Sequence, residues 1–306
     1  MNSLIITSLE QGLIFGVLAL GVFITYKILD IADLSVEGTF PFGAFIFAKM
    51  VSSGISPILS TLLAFLFGTL AGLLTSTLFI KLKIKPILAG ILTMTILYSV
   101  NLRTNGKANV PLFQFDSVFD TGSKLLILIV IIATIKLLMD WFLKTETGYL
   151  LIATGDNESL VKSLGQNSNK YKIIGLMIAN GLVALSGALM AQYQGFADMT
   201  MGSGIIVIAL ASIIIGDTIM RSSNRLKNTT RAIIGAIIYK VIGGIAIDLG
   251  LDPHDLKAVN AIIVIVFIYY NNNSEKVKKF FSRFQGIVPK FFKKIFTNRK
   301  GGKDNA

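Results

Sequence analysis

The chain has 306 residues, 53% of them apolar, with one histidine, no cysteine and a formal net charge of +12. A mean hydropathy of +0.70 excludes an ordinary soluble domain, because apolar runs of about 20 residues repeated along a chain are the pattern of spanning helices. The positive charge does not point to nucleic acid, since the cations sit between the apolar runs, and without cysteine neither a disulfide framework nor a cysteine metal site can form.

Nine apolar segments follow one another, at approximately 4–28, 38–52, 57–80, 86–103, 124–143, 172–192, 203–219, 231–249 and 256–270. They predict an all-α polytopic membrane protein with about nine transmembrane helices over residues 1–272, followed by a basic tail over 273–306. The opening MNSLIITSLEQG lacks the basic n-region of a cleaved signal, so the first run is expected to be kept. Between the first two runs, ILDIADLSVEGTFPFG turns polar and then carries Gly and Pro, which predicts a broken or re-entrant segment near residues 30–42. Asp33, Ser35, Glu37 and Gly38 lie in it. Such backbone is tolerated at membrane depth only where protein or a water-filled cavity satisfies it. Acid–base work by Asp33 and Glu37 is possible in principle; a polar break in the bundle is the simpler reading. The second and ninth runs are short for a full span, so each is tilted, re-entrant or longer than it looks.

Polar residues inside spans are costly unless they face a partner or a cavity. Glu10 and Gln11 in the first span, Asn101 in the fourth, Asn180 in the sixth and Lys240 in the eighth are therefore candidates for lining a translocation path. Lys240 has no carboxylate within a turn, and snorkelling, an acid on another helix or a polar path all remain open for it. Lys136 and Asp140 are four apart in the fifth span and read as a structural ion pair. Asp217 reads as an interfacial residue closing the seventh span. Small residues recur four apart at Gly12 and Gly16, Gly68 and Gly72, Ala184 and Ala188, and Gly187 and Ala191. They predict close helix packing within one subunit.

The loop over 144–171 holds TGDNESLVKSLG, which reads as a short capped helix. Asp156 or Asn157 is its N-cap, Glu158 follows in the first turn, and Gly165 stops it. Leu160, Val161 and Leu164 share one face. Lysines and arginines cluster in alternate loops: Lys81, Lys83 and Lys85; Lys144, Lys162, Lys170 and Lys172; Arg221, Arg225, Lys227 and Arg231. The positive-inside rule assigns these loops to the cytoplasm, with the N-terminus outside and the C-terminus inside. In the tail, Phe280, Phe281, Phe284, Phe291 and Phe292 alternate with lysines at helical spacing. That predicts an interfacial helix on an anionic leaflet, bent at Pro289, with a protein-docking arm as the alternative.

The chain has no GxxxxGK[ST] pattern, so it does not bind ATP by that route, and one histidine, His254, supports neither a histidine metal cluster nor a Ser–His triad. No metal or cofactor of its own is expected. Movement of a solute is a stronger reading than intramembrane catalysis.

ATGDNESLVKSLGQNSNKYK, followed by GLMIANGLVALSGALMAQYQG, resembles the cytoplasmic loop and next span of permease subunits of bacterial ABC importers. That group includes the branched-chain amino acid, ribose and nucleoside permeases. The likeness runs through Ala153, Gly155, Asp156, Asn157, Leu160 and Gly165, then Gly181, Ala184, Leu185, Ser186, Gly187 and Ala188; Ile152 stands where the family usually has arginine. The N-terminal ADLSVEG is similar to the family's IDLSVG with one residue added, as in the tryptophan/tyrosine-type uptake permeases, and the resemblance covers about residues 5 to 270. It implies a type II-like importer permease in a bacterial cell membrane, acting as a homodimer. A separate ATPase subunit would bind the ATP, and an extracytoplasmic substrate-binding lipoprotein would deliver the solute, an aromatic amino acid being favoured. It also implies that residues 155–165 form the coupling helix that meets the ATPase, with Leu160, Val161 and Leu164 as the apolar contact. The alternative is a stand-alone secondary transporter or channel, which would bind a coupling ion through acids and unwound helix.

Overall fold

The computed structural model describes residues 2–220 and 227–250, together with positions 258, 261, 262 and 265. The rest of the ninth apolar segment, the tail over 273–306, His254, Arg221 and Arg225 lie outside the described residues. The helices in chain order are α1 (Asn2–Phe23), α2 (Val36–Ser52), α3 (Pro57–Ser76), α4 (Pro86–Asn105) and α5 (Lys124–Phe142), then α6 (Glu146–Asp156), α7 (Glu158–Ser163), α8 (Ser168–Gln194), α9 (Ile205–Ile219) and α10 (Asn228–Asp248). Two short strands, β1 (Asn109–Pro111) and β2 (Phe196–Asp198), pair antiparallel. Against the expected nine spans, the described residues hold seven helical stretches long and apolar enough to cross a membrane. Outside those seven, α2 has 17 residues, about 25 Å of helix, and is buried along nearly its whole length.

Local chemistry explains the ends. Pro57 and Pro86 open α3 and α4 at the first helical position, where a missing N–H costs nothing. Helices α1 and α3 leave by the same device, a single π turn: Ile24–Ile28 after α1 and Thr77–Lys81 after α3. The next residues but one, Asp30 (φ 53°) and Lys83 (φ 54°), then take left-handed backbone. Neither exit is visible in the hydrophobic pattern, because a π turn leaves the apolar run uninterrupted.

The long helix α8 forms the centre of the bundle, with α1, α2 and α3 against it. Lipid supplies no hydrophobic drive between helices, so contact depends on backbones approaching closely. At Gly187 on α8 a Cβ would fall on the Phe40 carbonyl of α2, and at Gly43 on α2 it would fall on the Ala184 backbone of α8. Gly12 and Gly16 face Ile237 and Ile233 on α10, while Gly68 and Gly72 face α8. The small-residue pairs thus pack within one subunit, as their spacing predicts.

Polar clasps tie the bundle at one end. The expected Lys136–Asp140 pair forms at 2.8 Å, and Asp140 also takes Lys227 at 2.9 Å and the Thr229 hydroxyl at 2.6 Å, fastening α5 to the start of α10. Asp217, in the last turn of α9, pairs with Lys27 at 2.8 Å, joining α9 to the exit of α1. At the opposite end the first turns of α1 meet the last turns of α10, with Ser8 against Gly244.

Candidate functional site

The break between α1 and α2 is closed by a buried polar group. Asp33, 3% exposed, accepts from the Ser35 amide at 2.9 Å, the Ser35 hydroxyl at 2.5 Å and the Asn180 side-chain amide at 2.9 Å. The Thr39 hydroxyl lies 2.7 Å from Asn180 Oδ1 and 3.0 Å from the Ser35 carbonyl. Each hydroxyl has one proton. Ser35 donating to Asp33 and Thr39 donating to Asn180 leaves every member satisfied. The Asp33–Ser35 contact is an Asx-type turn that launches α2, and Asn180, 147 residues away in sequence, locks that turn to α8. Asn180, expected on the basis of cost to face a path, is 0% exposed, with both amide protons engaged by Asp33 and the Leu176 carbonyl. Thr39, one turn beyond Ser35, was missed because its hydroxyl reads in sequence as an ordinary helix residue.

The loop over 144–171 folds as two helices. Sequence periodicity did not separate α6, which begins at a Thr145 cap whose hydroxyl accepts from the Gly148 amide at 3.2 Å. Asp156 ends α6. The N-cap of α7 is Asn157, in extended backbone, and its Oδ1 accepts from the Leu160 amide at 3.0 Å. Gly165 has φ 72°; its N–H reaches the Lys162 carbonyl and that of Gln166 reaches Val161, so the helix stops where its glycine predicts.

Glu158 fixes α7 to the start of α8. It takes Lys172 at 2.7 Å, Lys162 at 2.9 Å and the Ser168 hydroxyl at 2.9 Å. The Lys172 and Lys162 ammonium groups hold its carboxyl down at about 2 against burial, which pushes the other way. The three apolar residues divide. Val161 is 0% exposed, whereas Leu160 and Leu164 are 50% and 63% exposed. Val161 is thus corrected from a contact residue to an anchor, because a six-residue helix lying on the bundle must turn one apolar residue inward. Gly155 is also an internal contact: a Cβ there would fall on the Ile28 carbonyl oxygen, at the break.

The remaining sequence candidates are not brought to one place. Glu10 accepts from the Tyr193 hydroxyl at 2.9 Å, and Gln11 beside it is half-buried. The Lys240 ammonium sits 3.7 Å from the centroid of the Phe15 ring. Among the described residues it forms no ion pair, so a cation–π contact holds it instead. Asn101 is 1% exposed, and neither atom of its amide has a hydrogen-bond partner among the described residues. It lies on a cavity of about 400 Å³ that Glu37 and Gly38, from the break, also line.

Comparison with known proteins adds four findings. The family model described as branched-chain amino acid transport system, permease component, matches residues 4–269. A tyrosine transport system permease protein of Clostridioides difficile is 46% identical over 291 residues, covering 95% of this chain and 98% of its own. A ribose import permease protein of Haemophilus influenzae is 27% identical, covering 88% and 84%. Among solved structures, PsaBC from Streptococcus pneumoniae in complex with Fab is similar in fold, with a TM-score of 0.50 at 17% identity over 87% of this chain and 90% of that one.

Proposed function

The chain belongs to the family of permease components of branched-chain amino acid transport systems, and on that footing we propose that two copies form the path of an ATP-driven importer. Its solute is an amino acid, with an aromatic side chain favoured by the likeness to the tyrosine transport system permease. A separate ATPase docks on the end that carries α6, α7 and the lysines of the 81–85 and 144–172 segments. An extracytoplasmic lipoprotein delivers the solute at the other end. The clustering of cations supports placing the α6–α7 end in the cytoplasm, the N-terminus outside and the C-terminus inside. The permease holds no cofactor, ATP being bound by the partner.

One observation carries the coupling assignment. Helix α7 has capped ends, is anchored by Val161 and Glu158, and turns Leu160 and Leu164 outward. Two large apolar side chains on a short rigid helix at the basic end suit a groove on a partner, and rigidity is what converts motion of that partner into tilt of α8. The rival reading, a stand-alone carrier, needs free acidic or carbonyl ligands at the broken helix. Asp33 has its oxygens taken up by Ser35 and Asn180, which removes it as such a ligand and leaves the rival reading to rest on Glu37.

The test reconstitutes the chain with its ATPase and lipoprotein in liposomes. Leu160→Glu combined with Leu164→Glu is expected to abolish ATP-driven uptake and solute-stimulated ATP hydrolysis while the subunit still inserts. Unchanged uptake by that variant, or uptake by the permease alone under an ion gradient, would overturn the proposal.

A further inference from the structure

The cavity that joins Asn101 to Glu37 has no role in the coupling assignment. It lies between the first turns of α2, the second half of α4 and the 199–203 segment. Three features mark it as built for a ligand. Asn101 offers an amide with both atoms unpartnered among the described residues, at 1% exposure, a costly state unless something else binds there. Glu37 has Oε1 held by the Gly204 amide at 3.2 Å, while Oε2 takes no partner among the described residues. Met94, Tyr98 and Met199 supply the apolar remainder, and thioether and phenol faces suit an aromatic ring.

We propose that this cavity is a solute subsite on the path, taking a zwitterionic amino acid with an aromatic side chain. The solute's ammonium group meets Glu37 Oε2, its carboxylate accepts from Asn101 Nδ2, and its ring lies among Met94, Tyr98 and Met199. Among the described residues no lysine or arginine lines the cavity, so an acidic solute without an amine lacks a counter-charge there and faces Glu37. A volume of about 400 Å³ falls in the range that holds small ligands. The inference rests on the permease reading above and deepens it.

The absence of cysteine allows a direct probe. Thr95, exposed on the cavity wall, is replaced in Thr95→Cys, and maleimide labelling is timed in membranes holding the full transporter. L-Phenylalanine is expected to slow labelling at least threefold, and 3-phenylpropionate, which lacks the amine, to leave it unchanged. Adding Glu37→Gln is expected to weaken protection about tenfold in phenylalanine concentration, equivalent to about 1.4 kcal/mol. Asn101→Asp, which keeps the shape and repels a carboxylate, is expected to do the same. Asp248→Asn, on the exposed end of α10, serves as the control that keeps full protection. Equal protection by both ligands, or protection surviving both Glu37→Gln and Asn101→Asp, overturns the subsite. ATP-dependent phenylalanine uptake without protection of Thr95→Cys refutes the subsite and leaves the permease reading standing. Absence of all ATP-dependent amino acid uptake in the wild type overturns both.

Discussion

Replacing Asn180 tests whether the break is held by hydrogen bonding or merely by packing. In Asn180→Leu the side chain keeps nearly the same volume, so cavity formation is small. The Leu176 carbonyl already bonds within α8, and the Thr39 hydroxyl retains the Ser35 carbonyl at 3.0 Å. Only Asp33 Oδ2 loses its donor, the Asn180 amide at 2.9 Å. An average hydrogen bond between membrane helices is worth about 0.6 kcal/mol, but a buried acceptor left stranded costs about 1–3 kcal/mol. The second figure governs here, and a loss of about 2 kcal/mol is expected. Asn180→Asp should cost more, because it sets two carboxyl groups face to face where one donor stood. The swap Asp33→Asn with Asn180→Asp returns one amide donor and one carboxyl acceptor to the same pair of positions and should recover most of that loss. Unfolding in mixed micelles of rising dodecyl sulfate content, followed by circular dichroism, gives the three differences. A loss near 0.6 kcal/mol for Asn180→Leu, or a swap no more stable than Asn180→Asp, would refute the reasoning.

Other substitutions bear on the loop and the exits. Gly155→Ala drives a methyl group into the Ile28 carbonyl and should destabilise the fold by about 1–3 kcal/mol, as overpacking does; thermal unfolding in detergent measures it. Glu158 contributes stability that is fully present above the ordinary glutamate value of 4.5 and is lost as pH falls from there through about 2. The melting difference between wild type and Glu158→Gln is therefore expected to shrink from pH 6 to pH 3 (about the span of that titration), and a pH-independent difference would count against the ion pairs. Lys83 holds φ 54°, where a side chain costs about 1–2 kcal/mol. Lys83→Gly should gain about 0.5–1 kcal/mol after the entropy of glycine is deducted, and a less stable variant would show that the lysine side chain has an offsetting contact.

Sequence patterning reached the helical membrane-spanning character though not the count of nine, and it reached the small-residue packing and the Asn157 and Gly165 ends of α7, because each rests on local periodicity or a local backbone preference. It did not reach the partner of Asp33. A buried asparagine in one span and an acidic turn in another are each merely costly in isolation, and only the tertiary fold sets them 2.9 Å apart. For the same reason Asn180 was grouped with path residues and Asn101 was not joined to Glu37. Val161 was misplaced through a different cause. Three apolar residues at helical spacing define one face, yet that face curves over the bundle and divides between an inward Val161 and outward Leu160 and Leu164. Helix α6 went unseen because the apolar content of YLLIATG blends into the loop rather than forming a span-length run.

A continuous set of contacts runs from the exposed end of α7 to the cavity. Val161 seats α7 in the core, Gly155 brings α6 onto the Ile28 carbonyl at the exit of α1, and Asp33 hands the chain to α2 under the hold of Asn180. Glu37, in the first turn of α2, then lines the cavity. Contiguity alone is not coupling. Gly155→Ala and Asn180→Leu share no contact, so if the elements respond independently their effects add within about 0.3–0.5 kcal/mol. If the loop, the exit of α1 and the break move as one rigid body, the first substitution already displaces the segment that Asn180 holds. The second then removes less, and the cycle departs from additivity by about 1 kcal/mol or more. Measured additivity would mean that α7 bears on α8 through their direct contacts, such as Glu158 with Lys172, bypassing the break.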